Sequence, residues 1–202
     1  MSDLPAIDDW NPLSPQEVGE LFRDYPGFWA IAGGWALDLF VGEVTRKHGD
    51  IDIQLDRADV GILHASLPGW LLYAAHGELD LWEPGTILPG EIDNLWCRRP
   101  GRPWQFQLML GPFTATEWIY RRDARIQGPR EDAVTWIDGL PVLAPEIQLL
   151  YKAKRPNQPK DEHDFAQALP RMSAAQRQWL AYSLRMLHGD HPWLPALDAT
   201  LG

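Results

Sequence analysis

The chain has 202 residues, of which 45% are hydrophobic and 23% charged, so it can build one globular domain of ordinary size with a small appendage. Its formal net charge of -10 argues against a protein that coats nucleic acid with basic residues, and it agrees with a cationic partner or a carboxylate metal site. The single Cys97 excludes an internal disulfide and suits the cytoplasm, where we expect the protein to work. The first ten residues lack the apolar core of a signal peptide, and no apolar run is long enough to span a membrane.

Local signals predict the elements in chain order. A capping box at Ser14 begins the first helix, and a second capping box at Ser173 begins the last one. Asp138-Gly139, between two apolar runs, predicts a hairpin. The predicted strands are 28–32, 50–55, 70–75, 79–83, 92–98 and 104–110. The further predicted helices are 35–40, 57–66, 145–154 and 160–169, and the last helix is 173–187.

The acidic excess is confined to the first part of the chain. Residues 1–115 contain 7 Lys or Arg and 17 Asp or Glu, whereas residues 116–202 contain 11 of each. The pattern changes at the same place, from strand-like aliphatic runs to helix-forming segments. We therefore expect a core of residues 1–115 and a mainly helical region of residues 116–202 that completes a cleft with it.

One stretch of the core carries the equipment for phosphate chemistry. Gly33-Gly34 joins a strand to a helix, where the bare backbone can approach a ligand and the helix N-terminus favours an anion. Asp50 and Asp52 are two apart on a strand, so their carboxylates share a face and favour a cation between them. Mg²⁺ suits such ligands because it completes its shell with water and phosphate oxygens. Each pattern alone is common in turns and solvated strands, but their order here indicates phosphoryl or nucleotidyl transfer.

The same stretch, from Gly33 to Ile53, resembles the nucleotidyltransferase superfamily that has a DNA polymerase beta-like core. The resemblance is strongest to the aminoglycoside and lincosamide antibiotic nucleotidyltransferases. Those enzymes carry Gly-Gly-Trp-x-hydrophobic-Asp and then Thr-Arg-x-His-x-Asp-hydrophobic-Asp, which this chain matches at 33–38 and 45–52. The match implies an α+β (α/β) fold, with a mixed sheet in the nucleotidyltransferase core and a helical C-terminal part.

The resemblance also implies roles for the matching residues. It makes Asp50 and Asp52 the catalytic residues that hold the metal ions. The residues that it assigns to the nucleotide are Gly33, Gly34, Trp35, Arg46 and His48. Asp38 belongs to the same signature, and we expect it to be structural, either pairing with Arg46 or capping a backbone group.

A weaker match lies near the C-terminus, where related enzymes place a lysine on a helix before a Lys-Asp-x-x-Asp element. Here Lys160-Asp161-Glu162-His163-Asp164 follows Lys152. A triphosphate needs positive charge, and the resemblance assigns Lys152 and Lys160 to it. Basic residues also favour helix ends for their own sake, and Asp161 and Asp164 could cap a helix or pair with the lysines.

The match fails at one position. Related enzymes need a third acid on a later strand, and Gln107 stands where that acid is expected. An amide cannot act as a general base and is a weaker metal ligand. Three explanations remain open: the acid comes from Asp80, Glu83 or Asp93; the acceptor is activated by the metal; or the protein binds nucleotide and transfers it poorly.

These features predict a Mg²⁺-dependent nucleotidyltransferase that moves a nucleoside monophosphate, from ATP as the first choice of donor, to a hydroxyl of a small-molecule acceptor. By resemblance the acceptor is aminoglycoside-like or lincosamide-like, and the net charge agrees with a cationic one. The alternatives are a toxin-like tRNA nucleotidyltransferase and a catalytically weakened nucleotide-binding protein. No membrane partner is expected, and the sequence leaves the oligomeric state open. Of the 11 Trp residues only Trp35 belongs to a motif.

Overall fold

The computed structural model describes residues 4–199, so residues 1–3 and 200–202, the outer ends of the two predicted regions, lie outside it. Its helices are α1 Pro15–Leu21, α2 Gly33–Val41, α3 Leu63–Ser66, α4 Pro145–Lys152, α5 Pro159–Ala168, α6 Ala174–His188 and α7 Leu194–Ala199. Its strands are β1 Trp29–Ala32, β2 Asp52–Asp56, β3 Leu71–Ala75, β4 Leu79–Leu81, β5 Asn94–Arg98, β6 Phe106–Gly111, β7 Glu117–Ile119, β8 Gln127–Pro129, β9 Val134–Ile137 and β10 Leu140–Leu143. None of these helices is long and apolar enough to cross a membrane.

An eight-stranded mixed sheet organises the molecule. Its strand order is β4-β3-β5-β6-β2-β1-β10-β9, and β7 and β8 form a separate pair. The neighbours β1 and β10 are parallel, as are β2 and β6, while the other pairs in the large sheet are antiparallel. The predicted α+β fold with a mixed sheet is confirmed. Two strands from the region after residue 115, β9 and β10, complete the sheet beside β1.

The local predictions agree best with the structure where a cap or a turn dictates the backbone. Ser14 and Ser173 both form the predicted capping boxes at the starts of α1 and α6. Asp138 and Gly139 both have positive φ, as a tight two-residue hairpin turn requires, and they join β9 to β10. The predicted helix 57–66 was wrong in kind, because Arg57–Ile62 is a 3-10 helix and only the four-residue α3 is α-helical.

The two faces of the sheet pack against different parts of the chain. Side chains alternate along a strand. Ile53 and Leu55 of β2 therefore enter the core beneath α1, and Phe22 belongs to the same core. Ala30 and Ala32 of β1 point the other way, into a second core formed with the C-terminal helices. Each fully buried aliphatic side chain contributes about 1.5–3 kcal/mol to the free energy of unfolding, so both cores stabilise the sheet. By the same alternation, Asp52 lies on the face of the C-terminal helices.

Candidate active site

The Gly33-Gly34 turn is built to fit against acidic and basic side chains. Gly33 begins α2 with φ +67, and a Cβ there would lie 2.2 Å from Oδ2 of Asp52. A Cβ on Gly34 would lie 2.3 Å from a guanidinium nitrogen of Arg46 and 2.6 Å from Nδ1 of His48. The two glycines therefore let three predicted site residues approach the backbone where β1 becomes α2.

The N-terminus of α2 is tied to a helix from the other end of the chain. The backbone N–H of Gly33 donates to Oε1 of Gln148 on α4, at 2.8 Å. Ala32, the N-cap residue, supplies no side-chain cap to the first turn of α2. The partial positive charge of that turn favours an anion, such as the phosphate predicted from the sequence.

Asp50 and Asp52 lie together at the start of β2. Asp52 is the first residue of the strand, between Ala32 of β1 and Gln107 of β6, and Asp50 lies in the exposed segment just before it. The pKa of Asp52 is raised to about 7, chiefly by burial and then by the negative charge of Asp50. The charges of two lysines, Lys152 and Lys160, act in the opposite direction.

This environment fits a metal ion held by two carboxylates. The pKa of Asp52 is high because burial and Asp50 disfavour its ionised form, and a cation bound to both acids would remove that penalty. No group of three or more His, Cys, Asp or Glu within the described residues could hold a metal ion. Two carboxylates that lie together suit Mg²⁺, because it completes its shell with water and substrate oxygens.

A network of opposite charges joins the site to the C-terminal helices. Arg46 makes a two-pronged ion pair with the buried Asp164 of α5, at 2.7 and 2.8 Å. Lys152, at the end of α4, lies 2.9 Å from carboxylate oxygens of both Asp161 and Asp164. The pairing of Lys152 with these acids was one of the sequence-based alternatives. Lys160, at the start of α5, is exposed.

The remaining signature residues form a network inside the protein. Asp38 accepts hydrogen bonds from the backbone N–H and the hydroxyl of Thr45, at 3.0 and 2.6 Å, and contacts Nε2 of His48 at 2.6 Å. The His48 ring packs on Trp35, with a centroid distance of 4.5 Å, and its side chain is only 3% exposed. Asp38 thus caps a backbone group, as one alternative held, and it does not take Arg46 as its partner. Trp35, His48 and Asp38 together hold the loop that carries Arg46.

The position of the expected third acid is occupied by an amide. Gln107 is the direct neighbour of Asp52 across β2 and β6. Asp80 lies on β4, four strands and roughly 19 Å from β2, and Glu83 follows at the same edge. Asp93 precedes β5, about three residues along and two strands across from Asp52, and it forms an ion pair with Arg121.

Sequence reasoning missed two members of the cleft around Asp52. Gln148 and Tyr151 of α4 line a cleft of about 70 Å³ with Gly33, Asp52 and Arg121. Neither residue belongs to a recognisable pattern, and only the docking of α4 beside β1 brings them to the site. Arg122, also in this cleft, donates to the backbone oxygen of Tyr151 at 2.7 Å.

The chain is similar to one group of known proteins. Residues 16–70 match the sequence model of the aminoglycoside-2''-adenylyltransferase family. No curated protein matches the sequence significantly. Among solved structures, the lincomycin-bound lincosamide antibiotic adenylyltransferase LnuA is 15% identical, with a TM-score of 0.55 over 80% of this chain and 100% of that chain. The complex of ANT(2'')-Ia with adenylyl-2''-tobramycin is 17% identical, with a TM-score of 0.54 over 85% of this chain and 95% of that chain.

These similarities agree with the resemblance noted in the sequence, and the solved structures share its fold. The matched residues 16–70 contain the whole segment from Gly33 to Ile53 on which the resemblance rests. The solution structure of ANT(2'')-Ia is 16% identical and has a TM-score of 0.53 over 92% of this chain and 93% of that chain, so the shared fold extends over nearly the whole molecule. The matched proteins are antibiotic adenylyltransferases, which are nucleotidyltransferases.

Proposed function

We propose that this protein is a metal-dependent nucleotidyltransferase that transfers a nucleoside monophosphate from a nucleoside triphosphate to a hydroxyl of a small molecule. The observation that carries the proposal is the packing of the Asp52 carboxylate against Gly33, where a Cβ would come within 2.2 Å of Oδ2. A metal-binding acid therefore adjoins the helix N-terminus at which phosphates bind. The match of residues 16–70 to an adenylyltransferase family supports the same activity.

The residues of the site have separate tasks in this reaction. The first turn of α2 binds the terminal phosphates, and Lys152 and Lys160, whose charges reach Asp52, offset their negative charge. Asp50 and Asp52 hold Mg²⁺, which when bound supplies positive charge at the reacting phosphate. The acceptor hydroxyl oxygen forms a bond to the alpha-phosphorus and its proton passes to water, while the bond from the alpha-phosphorus to the bridging oxygen breaks and pyrophosphate leaves.

The function is tested with ATP labelled at the alpha-phosphate. We expect label to reach a small-molecule acceptor in the presence of Mg²⁺, and Asp52→Asn to lower the rate about 10²–10³-fold, the size of loss typical of a removed electrostatic group. Asp80→Asn is the matched control, because Asp80 lies at the far edge of the sheet. A full rate in Asp52→Asn would contradict the metal assignment, and label on tRNA alone would favour a tRNA nucleotidyltransferase.

One observation favours a second candidate, a nucleotide-binding protein with little transferase activity. Gln107 occupies the position beside Asp52, and it can neither accept the hydroxyl proton nor add charge to the metal site. For this candidate we expect calorimetry to detect binding of ATP with Mg²⁺, while no label reaches any antibiotic or tRNA. Transfer by Gln107→Asp but not by the natural chain would then identify the amide as the cause.

A further inference from the structure

The place of the acceptor follows from the arrangement around Asp52, if the proposed function holds. On one side of Asp52 lie β1 and the Gly33-Gly34 turn that follows it, which form the phosphate side. On its other side lies β6, followed by β5. A hydroxyl that attacks a phosphate opposite its leaving group must approach from the side away from the terminal phosphates. The acceptor therefore contacts β6 and β5.

The side chains nearest Asp52 on that part of the sheet carry no charge. The residues that share the face of Asp52 are Asn94, Trp96 and Arg98 on β5 and Gln107 and Met109 on β6. We call the four uncharged ones the β5–β6 strip. All four are partly exposed.

The nearest charges on β5 do not favour a cationic ligand. Asp93 is engaged by Arg121, and Arg98, further along the strand, is positive and lies over the ring of Tyr73. A polycation gains little binding energy from the β5–β6 strip, because its charges would meet no unpaired carboxylate among these residues.

The strip also contains polar atoms that lack partners. Within residues 4–199, Oδ1 of Asn94 and Nε1 of Trp96 are shielded from solvent and make no hydrogen bond. The side-chain nitrogen of Gln107 contacts only the sulfur of Met109, at 3.5 Å. A shielded polar atom without a partner needs an explanation, and a ligand that supplies the missing bond is one explanation for Asn94 and Trp96.

We propose that the acceptor is an uncharged, hydroxyl-bearing molecule with an aromatic or other apolar part, and that the β5–β6 strip selects it. Its apolar part packs on Met109, whose flexible thioether adapts to different shapes, and on the exposed part of the Trp96 indole, which Trp10 and Trp104 hold from within the protein. Its polar groups bond to Asn94 and Gln107, and its reacting hydroxyl reaches the phosphate beside Asp52. A polycationic aminoglycoside fits this strip poorly.

The proposal is tested by binding, so that it does not depend on turnover. The protein is saturated with Mg²⁺ and a nonhydrolysable ATP analogue, and three compounds are titrated: the uncharged nitrophenyl diol chloramphenicol, the monocation lincomycin and the polycation tobramycin. We expect chloramphenicol to bind about tenfold more tightly than tobramycin. Equal or tighter binding of tobramycin, or no binding of chloramphenicol, overturns the proposal.

Two variants assign the selectivity to the strip. Asn94→Asp places a carboxylate on β5 without touching Asp52, and we expect it to raise the affinity for tobramycin about tenfold. Asn94→Ala should weaken the binding of chloramphenicol and leave the affinity for tobramycin unchanged. An unchanged affinity for tobramycin in a folded Asn94→Asp protein contradicts the assignment. Transfer of labelled adenylate is measured in parallel: transfer to tobramycin in preference overturns only the strip proposal, whereas failure of the ATP analogue to bind overturns the proposed function.

Discussion

Gly33 combines a left-handed backbone conformation with close contact to the Asp52 carboxylate. Its φ of +67 and its distance from Asp52 both exclude a side chain. We expect Gly33→Ala to lower the free energy of unfolding by about 1–2 kcal/mol through the left-handed backbone alone, and to displace the Asp52 carboxylate as well. Chemical denaturation measures the first effect, and calorimetry with Mg²⁺ and ATP measures the second.

Gly61 provides the matched control. A Cβ there meets nothing within 4 Å, and its φ lies outside the left-handed region. Gly61→Ala should therefore leave both stability and nucleotide binding within error of the natural chain. Nucleotide affinity that survives in Gly33→Ala would contradict the close placement of Asp52 and the phosphate site.

Asp52 gives the protein a pH dependence of opposite sign to that of a typical carboxylate. Its pKa in the folded protein is raised to about 7, above the unfolded value near 4, so the folded state holds the extra proton between these limits. In EDTA, the free energy of unfolding should fall as the pH rises from about 4 to about 7, and Asp52→Asn should remove that fall. The variant should then be more stable at pH 8 by up to about 4 kcal/mol.

Titration of unfolding curves against pH in both proteins checks this prediction. The proposed Mg²⁺ would bind the ionised form of Asp52, so it should raise the stability of the natural chain most above pH 7 and should release a proton on binding below that pH. Parallel pH profiles of the two proteins would contradict a raised pKa at Asp52.

At the scale of elements, α5 is fastened to the site loop through one buried carboxylate. Asp164, with a fully buried side chain, is shared by Arg46 and Lys152. We expect Asp164→Asn to lower the free energy of unfolding by about 3 kcal/mol, because it leaves Arg46 without its buried partner and takes from Lys152 one of its two carboxylates. Asp198→Asn, which breaks a half-exposed pair with Arg185, should cost less than about 1 kcal/mol.

The stability that Asp164 provides depends on pH in the opposite direction to that of Asp52. Burial raises the pKa of Asp164, but the hydrogen bond from Arg46 and the charge of Lys152 outweigh burial and leave the pKa below its usual value. The stabilisation is therefore complete above pH 4 and is lost as the pH falls through the lowered pKa. Equal acid sensitivity of Asp164→Asn and the natural chain would show that the ion pair contributes little.

Elements with a local signal were predictable, and elements that depend on tertiary contacts were not. The boxes at Ser14 and Ser173 act within one turn of helix, so four residues of sequence suffice to predict them. The short α7, with Pro195 inside it, has no such signal, and it forms by packing Leu194 and Leu197 into the second core. The three-residue strands β7 and β8 likewise depend on each other.

At the scale of the whole molecule, the sheet joins the two parts of the chain into one folding unit. β10 pairs with β1, and the C-terminal helices cover Ala30 and Ala32. We expect a fragment of residues 1–115 to remain unfolded by circular dichroism and the full chain to unfold in one cooperative step. Two separate thermal transitions would contradict this prediction.

The sequence could predict contacts in the site between residues close along the chain, but not those between distant residues. The Gly33-Gly34 turn, Asp50 and Asp52 lie within one short stretch of sequence, so their association could be predicted. The partner of Arg46 is 118 residues away and that of the Gly33 N–H is 115 residues away. No local pattern specifies such pairs, because they arise only when α4 and α5 dock on the face of the sheet.

This dependence on distant residues has a consequence during synthesis on the ribosome. The glycine turn and both aspartates leave the ribosome early, but β10, α4 and Asp164 follow about a hundred residues later. At about 5–20 residues per second, the nascent chain spends several seconds with its acidic half synthesised and its basic partners missing. Chains that end before α4 and α5 should therefore not bind ATP with Mg²⁺.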